Sequence, residues 1–339
     1  MSDKRAVMER GGSMRKSSAC RAAALSQTLA QTLALALVLV LAAGTAALAQ
    51  SPWRVGTWKT AQTIQPFFYQ QFLPGQKLEV LAFTNPADQK TALLAGSLEL
   101  CGTTLAHAIH AASRGEPVVV VAALCNKCSA LVVQKDGPIQ EIKDLAGKKI
   151  GYVPGTMHEI LLREALSKNG LDPNRDVRLV RVDFFDMGQA LARGSIDAFL
   201  SGEPFPSLAV LRGYGRILAY PYYGQGIGAI NAGMLVTRQA IEQQPEMVAS
   251  LVTAHARATE YLKAHPGEWL QKAATFGTAP EVLGLAAANM ELAWRMDQDF
   301  VARVAALGAR MKALGLIERQ PDYARLIDLR FVRGVKLEP

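Results

Sequence analysis

An uninterrupted apolar run, PVVVVAAL at residues 117–124, constrains the fold more than any other feature of the sequence. A strand with one solvent-exposed face alternates apolar and polar residues, whereas a strand that is buried on both faces has a continuously apolar sequence. Short strand patterns recur along the chain and alternate with helical patterns that stop at glycine, as at Gly96 and Gly170. The sequence therefore predicts an α/β protein whose sheets are mostly parallel and flanked by helices.

Two such α/β series follow one another, and long helical patterns without strands dominate after residue 240. We predict one lobe from residues 50–133 together with 234–339, which include the C-terminal helices, and a second lobe from residues 134–233. The chain would cross between the lobes near residues 134–137 and return near the glycine-rich residues 226–233. Two crossings make a hinge, and the cleft between two lobes is a natural ligand site.

The N-terminus has the parts of an export signal. Basic residues end at Arg21, the apolar stretch LALALVLVLAA follows at residues 33–43, and Ala47-Leu48-Ala49 gives a small-x-small cleavage pattern. We expect residues 1–49 to be a signal peptide cleaved near Ala49/Gln50, which in a Gram-negative cell means a periplasmic protein. An uncleaved anchor is the alternative, although the apolar stretch is shorter than the ~20 residues that a span needs.

The formal charge of +8 is a weak guide to partners, because part of it belongs to this leader. Six of the 37 basic and two of the 29 acidic residues lie in residues 1–49, which leaves 31 against 27. The remainder has no dense basic run with interleaved aromatics, so a nucleic-acid partner is not expected. A hydrophobic content of 50% excludes a disordered chain. Either Met1 or Met14 remains open as the start of the leader.

Two stretches carry a resemblance to a known family. They are SALVVQKDGPIQEIKDLAGKKIGYVPGTMHEILLREALSKNGLDP at residues 129–173 and VRVDFFDMGQALARGSIDAFLSGEPFPSLA at residues 180–209. In the phrases DLAGKKIGYVPGT and DMGQAL and the pair Glu203-Pro204, the chain resembles the periplasmic substrate-binding proteins of nitrate/sulfonate/taurine-type ABC importers. The resemblance is clearest over residues 78–235 and implies a two-lobe, periplasmic-binding-protein-like fold of type II.

The resemblance also implies a function. The chain would be the extracytoplasmic solute-binding component of an ABC importer, which closes on a small ligand and delivers it to the inner-membrane permease. An anionic or zwitterionic, sulfonate-, nitrate- or taurine-like ligand is expected, although the family also includes amine and pyrimidine binders. We expect no catalysis, no cofactor and a monomer. The sequence contains no GxSxG, HExxH, Walker or dinucleotide fingerprint.

Several candidate ligand contacts lie where a predicted strand gives way to a helix. Thr156, Met157 and His158 begin such a helix, where free backbone N–H groups and the helix dipole favour an anion. The alternative is that Thr156 only caps its own helix, and His158 only lines the rim of the cleft. The same two interpretations apply to Thr103 and Thr104 after the strand LELC.

Further candidates follow other predicted strands at the edge of the cleft. Trp58 offers a surface for stacking on a solute, and Lys59 offers a cation for an acid group. Glu203 would accept hydrogen bonds from a ligand, or would pair with a lysine across the hinge. The remaining candidates are Ser129, Asp186, Met187, Tyr222 and Tyr223.

The cysteines form a separate problem. Cys125 and Cys128 enclose the turn CNKC in a chain expected to meet an oxidising compartment, and we predict a disulfide between them. Cys101 would then be a free thiol. Two alternatives stay open: a soft-metal site built from Cys101, Cys125 and Cys128, helped by Met157 or His158, and a thiol oxidoreductase in the same fold.

Overall fold

A computed structural model describes residues 51–222 and 229–337 of the chain. The predicted signal peptide and Tyr223 lie outside the described residues. The described strands are β1 (Trp53–Trp58), β2 (Leu78–Phe83), β3 (Leu100–Thr104), β4 (Val118–Lys127), β5 (Ser129–Gln134), β6 (Lys149–Tyr152), β7 (Arg178–Arg181), β8 (Ala198–Gly202), β9 (Gly215–Ala219), β10 (Ile230–Thr237) and β11 (Met290–Leu292).

The helices are more numerous toward the C-terminus, as the sequence pattern predicts. They are α1 (Pro86–Leu94), α2 (Leu105–Ser113), α3 (Met157–Lys168), α4 (Phe184–Ala192), α5 (Phe205–Leu211), α6 (Arg238–Gln243), α7 (Pro245–Ala264), α8 (Pro266–Ala274), α9 (Pro280–Ala287), α10 (Gln298–Ala313), α11 (Tyr323–Leu326) and α12 (Arg330–Arg333). Short 3₁₀ helices cover Ala61–Thr63, Gln65–Phe72 and Ile142–Leu145. Within the described ranges, no helix is both long and apolar enough to cross a membrane.

The strands form two sheets, each with helices packed on it. The first sheet has the order β11-β4-β10-β3-β1-β2 and the second has the order β7-β6-β8-β5-β9. Here lobe 1 denotes the first sheet with its helices, and lobe 2 denotes the second sheet with its helices. The predicted two-lobe α/β fold is confirmed. The sheets are mixed rather than mostly parallel, because β10 and β11 pair antiparallel in lobe 1, and β5 does so in lobe 2.

The continuous apolar run at residues 117–124 lies inside lobe 1. Strand β4 pairs with β10 on one side and β11 on the other, and helices α2, α11 and α12 contact it. Its residues 118–125 are all buried. Burial on both faces is the reason why this strand carries no polar alternation.

The first crossing between the lobes differs from the predicted position near residues 134–137. Strand β5 pairs with β8 and β9, so it belongs to lobe 2 and the chain crosses immediately before it. The crossing is the two-residue turn at Lys127 and Cys128, with φ angles of 57° and 76°. Two consecutive non-glycine residues in the left-handed region are unusual, and nothing in the letters CNKC indicates them. The return crossing precedes β10 and lies partly outside the described residues.

Candidate functional site

The two lobes enclose a cleft with an inner and an outer part. Lobe 1 lines the inner part with residues at and just after the ends of β1 and β2, and lobe 2 lines it with residues at the end of β8 and at the starts of α3, α4 and α5. The lining residues are Trp58, Thr60, Gln62, Phe83, Thr84, His158, Phe184, Phe185, Ser201, Gly202 and Phe205. The inner part has a volume of about 20 Å³, which is room for roughly one water molecule.

Aromatic rings make up much of the inner lining. Phe184 stacks on Phe205 with ring centroids 6.4 Å apart, and Phe185 meets Phe205 edge-on at 5.0 Å. Trp58 and Phe83 end the neighbouring parallel strands β1 and β2, whose Cα atoms pair at these two residues. The carboxyl ends of parallel strands are where open α/β sheets bind ligands, and here they supply flat apolar surfaces.

Two buried polar atoms of this lining have no hydrogen-bond partner. They are the indole Nε1 of Trp58, a donor, and the Oε1 of Gln62, an acceptor. A buried polar group without a partner costs about 1–3 kcal/mol, so native proteins rarely leave one. The donor on Trp58 and the acceptor on Gln62 line one cavity. Together they suit a ligand that carries an acceptor and a donor along one edge.

The side chains of three other residues approach the backbone of Gly202. A Cβ atom added there would lie 3.0 Å from His158 Cε1, 3.2 Å from Cys128 Sγ and 3.2 Å from Gln62 Nε2. The absence of a side chain at Gly202 therefore keeps the innermost wall of the cleft open.

His158 is neutral at physiological pH. Burial lowers its pKa to about 4. Its Nδ1 lies 3.0 Å from Ser129 Oγ, and its ring meets Phe184 edge-on at 5.2 Å. Because no Lys, Arg, Asp or Glu is among the described residues that line the inner part, this described lining carries no formal charge.

The outer part of the cleft is larger, with a volume of about 410 Å³. Cavities of about 300–1,000 Å³ are typical of small-molecule sites. Thr60, Phe185 and Phe205 line both parts, so the two are adjacent. Two exposed cations, Lys59 from lobe 1 and Arg212 from lobe 2, line the outer part.

A polar network joins the lobes behind the inner part. The backbone N–H of Cys128 donates to Asn289 O at 2.8 Å, and Cys128 O accepts from Glu203 N at 2.7 Å. The Glu203 carboxyl accepts from Asn289 Nδ2 and from Ser207 N, each at 3.2 Å. Burial raises the pKa of Glu203, and its hydrogen bonds oppose the rise. Tyr222 donates its hydroxyl to Asn289 Oδ1.

The structure brings three of the predicted site residues to the cleft: Trp58, Lys59 and His158. The other candidates among the described residues lie outside the linings of both parts. Their roles in ligand binding, like those of the three cleft residues, stay predictions.

The candidates outside the linings have contacts of their own. Thr104 and Thr156 accept hydrogen bonds from the third residue of α2 and of α3 respectively, which is the capping alternative. Thr103 Oγ1 lies 3.4 Å from His107 Nδ1. Met157 and Met187 are buried in apolar clusters, and Asp186 is exposed in the first turn of α4.

The predicted disulfide between Cys125 and Cys128 is not formed. Cys101, Cys125 and Cys128 are all buried free thiols. Cys128 Sγ instead accepts a hydrogen bond from Asn231 Nδ2 at 2.8 Å. Burial raises the pKa of Cys128 and that of Cys101, which opposes the thiolate that a redox enzyme would need.

The soft-metal alternative also fails in this structure. Among the described residues, no three His, Cys, Asp or Glu side chains are grouped so that they could hold a metal ion. Cys101 lies in β3 and Cys125 in β4, and the strand β10 separates them in the sheet.

Sequence reasoning missed most of the aromatic and amide lining. The pair Phe184-Phe185 lies just after the strand pattern VRLVRV at residues 177–182, and this position could have indicated a place at the cleft. Gln62 lies in a short 3₁₀ helix after β1, where the pattern carries no signal for a ligand contact. Gly202 directly precedes the pair Glu203-Pro204, but no sequence pattern marks this glycine as part of a ligand site.

These features define a two-lobe α/β protein with an interlobe site. The family model described as NMT1/THI5 like matches residues 68–269, which is more than half of the chain. The chain belongs to the NMT1/THI5-like family.

Two relatives bear names from thiamine chemistry. A Schizosaccharomyces pombe protein named 4-amino-5-hydroxymethyl-2-methylpyrimidine phosphate synthase is 32% identical over 130 residues, 38% of this chain and 37% of that protein. A Haemophilus influenzae protein named "Putative thiamine biosynthesis protein" is 27% identical over 230 residues, 67% of this chain and 70% of that protein. The match thus spans little more than a third of the S. pombe relative.

Several of the solved structures that resemble the chain are binding proteins of importers. The alkanesulfonate-binding protein SsuA from Xanthomonas axonopodis pv. citri, bound to MOPS, has a TM-score of 0.74 at 22% identity, covering 82% of this chain and 98% of that one. A sulfonate-binding protein from Escherichia coli and the nitrate-binding protein NrtA from Synechocystis, both periplasmic, share the fold. The resemblance to a type II periplasmic binding protein is therefore confirmed.

One expectation is corrected by the relatives. The importer resemblance implied a chain without catalysis. Curated relatives from S. pombe, Saccharomyces cerevisiae and Legionella pneumophila are named as pyrimidine phosphate synthases, which are enzymes. The expectation was wrong because this fold and these motifs are shared by binding proteins and enzymes, so the motifs do not separate the two.

Proposed function

We propose that this chain is the extracytoplasmic solute-binding component of an ABC importer and that it holds a small planar heterocycle of the pyrimidine type in its interlobe cleft. The observation that carries the proposal is the inner part of the cleft, where an unpartnered donor on Trp58 and an unpartnered acceptor on Gln62 lie among aromatic rings. A heterocycle combines flat apolar faces with a hydrogen-bonding edge, and this lining complements both.

Charge favours a neutral ring over a sulfonate or nitrate at the inner part. An anion taken from water into a cavity without a cation would lose its hydration with little in return. His158 does not supply that cation, because burial lowers its pKa to about 4. This argument replaces our expectation of a simple anionic ligand. The names of the thiamine-related relatives support the same class.

The dimensions of the cleft suggest where the ring lies. A ring does not fit within about 20 Å³, whereas an amino or hydroxyl group needs roughly that much room. We place the ring at the junction of the two parts, against Phe185 and Phe205, with its polar edge directed toward Trp58 and Gln62. Closure of the two lobes on this ring would be the event that the permease recognises.

Isothermal titration calorimetry with 4-amino-5-hydroxymethyl-2-methylpyrimidine, taurine and nitrate tests the ligand class. We expect binding of the pyrimidine and a loss of about tenfold or more in Gln62→Leu, because one buried hydrogen bond is worth about 1.4 kcal/mol or more when its partner is stranded. Gln239→Leu, on the exposed side of α6, is the matched control and should bind as the wild type does. Tighter binding of taurine or nitrate than of the pyrimidine would refute the proposed class.

Location is a separate part of the proposal. Export through the leader would place the protein where an importer meets its solute. N-terminal sequencing of the exported protein should begin near Gln50. Retention of residues 1–49 in a soluble cytoplasmic protein would contradict it.

Conversion of the bound pyrimidine is a second candidate function, favoured by the enzyme names of the relatives. Mass spectrometry of the pyrimidine recovered after incubation with the protein distinguishes the candidates. An unchanged mass supports binding and release, and a time-dependent change in mass supports catalysis.

A further inference from the structure

Helix α3 of lobe 2 and the loop before it contact lobe 1 at two places outside the linings of the cleft. In the loop, the backbone of Pro154 forms a hydrogen bond with the ring of His107. A Cβ atom added at the next residue, Gly155, would lie 2.8 Å from His107 Nε2, so the ring lies directly against this loop. Farther along the helix, Glu164 pairs with Arg310 of lobe 1. Because His107 belongs to α2 of lobe 1, its ring is part of an interface between the lobes.

The surroundings of His107 favour the neutral ring. Burial lowers the pKa of His107 to about 4, with smaller contributions from the cation Lys90 of α1 and from His110 of α2. The hydrogen bond to Pro154 opposes this shift. On the other side of the ring, Nδ1 lies 3.4 Å from the hydroxyl of Thr103 in β3, which can donate to a neutral ring. A proton on the ring would therefore place a charge beside a cation in a poorly hydrated position.

Two carboxylates near this interface have partners of their own. Glu116, after α2, pairs with Lys90 at 2.7 Å. Glu159, in the first turn of α3, accepts from the backbone N–H of Gly155 at 2.7 Å and from Arg163 Nε at 2.8 Å. Since both are already engaged with donors, neither is free to form an ion pair with a protonated ring.

We propose that His107 is a positioning residue that couples the arrangement of the lobes to pH: its neutral ring holds the start of α3 against lobe 1, and its protonation favours separation of the two. The contact arrangement denotes here the one that contains the His107–Pro154 hydrogen bond. Separation would return the ring to water, where a charge is well solvated. The inference rests on the proposed function in one respect, because a ligand in the cleft needs both linings to face it. Ligand affinity should therefore fall in mild acid.

The size of the effect follows from proton linkage. At pH 7.5, His107 is neutral in both arrangements and adds no pH dependence. An ordinary pKa of about 6.5 after separation, against about 4 in the contact arrangement, disfavours the contact arrangement about tenfold at pH 5.5. His107 is partly exposed, so solvent screens part of this difference, and we expect a loss of about three- to tenfold.

Calorimetry with 4-amino-5-hydroxymethyl-2-methylpyrimidine at pH 7.5 and pH 5.5 compares the wild type with His107→Gln, which keeps a donor for Pro154 but cannot titrate. The loss of affinity between the two pH values should be about three- to tenfold larger in the wild type. Titration of the ligand or of His158 affects both proteins and cancels in this comparison. His265→Gln, at an exposed helix junction, is the control and should show the wild-type loss.

A second measurement needs no variant. In isotope-labelled wild type with bound pyrimidine, the NMR signals of the His107 ring should remain those of a largely neutral ring at pH 5.5. A ring that is mostly protonated there, or equal losses of affinity in wild type and His107→Gln, would overturn the inference and leave the proposed function intact. Absence of pyrimidine binding at pH 7.5 would overturn the proposed function instead. Small-angle scattering without ligand would then decide the inference, which fails if acid changes the radius of gyration equally in wild type and His107→Gln.

Discussion

The buried histidine of α7 should make the protein unstable in mild acid. His255 is fully buried, and its Nε2 donates to the carbonyl oxygens of Ala123 at 2.7 Å and Ala293 at 3.1 Å. Its Nδ1 accepts from the Tyr69 hydroxyl at 2.8 Å. Every polar atom of the ring is satisfied in the neutral form, and burial lowers the pKa of His255 to about 4.

The sign of the pH effect follows from this shift. Above about pH 6.5, His255 is neutral in both the folded and the unfolded chain, so it adds no pH dependence. Between pH 6.5 and 4, the unfolded chain binds a proton that the folded chain does not, and stability falls as the pH falls. From a pKa of 6.5 against about 4, the loss at pH 5 is about 2 kcal/mol.

Urea unfolding of wild type and His255→Gln at pH 7.5 and pH 5.0 measures this term. The variant keeps a donor and an acceptor but cannot titrate, so its drop in stability between the two pH values should be smaller by about 2 kcal/mol. His265→Gln, at an exposed helix junction, is the control and should keep the wild-type drop. Equal drops in wild type and His255→Gln would refute the reasoning, whatever the variant costs at neutral pH.

Three further results are expected. Gly202→Val should weaken pyrimidine binding at least about tenfold in calorimetry, because the new side chain would fill the inner cavity; Gly284→Ala, in a helix with open space around it, is the control that should bind normally. Glu164, which is nearly buried, pairs with Lys168 on its own helix and with Arg310 across the lobes. Arg310→Leu leaves only the first pair and should destabilise the arrangement of the lobes that contains this contact by about 1–2 kcal/mol; an unchanged radius of gyration in scattering would count against it. A thiol reagent should label none of the three described cysteines in the native protein and all three after denaturation; fewer labelled after denaturation would reveal a disulfide.

The elements were more predictable than their arrangement. Strands 78–83 and 129–134 were predicted at their observed bounds, because period and turn residues are local signals. The sheet to which the second of these strands belongs was not predicted. Pairing is decided by partners distant in sequence and by the left-handed turn at Lys127 and Cys128, which the pattern does not encode.

The candidate site was predictable where position after a strand carries the signal. Trp58 ends β1 and Lys59 follows it, and both line the cleft. Gln62 and Arg212 were missed because their roles depend on which elements face each other across the lobes. Thr156 shows the limit of this signal, since its hydroxyl caps its own helix, and its contact with a ligand stays a prediction.

The turn at Cys128 has a consequence for how occupancy reaches the rest of the molecule. Its backbone joins Asn289 of one lobe to Glu203 of the other, and its thiol lies against Gly202 in the wall of the cleft. The crossing between the lobes and the wall of the cleft are therefore in direct contact, and no relay of side chains is needed to connect them. A ligand that displaces Gly202 would therefore act directly on the residue at which the chain crosses between the lobes.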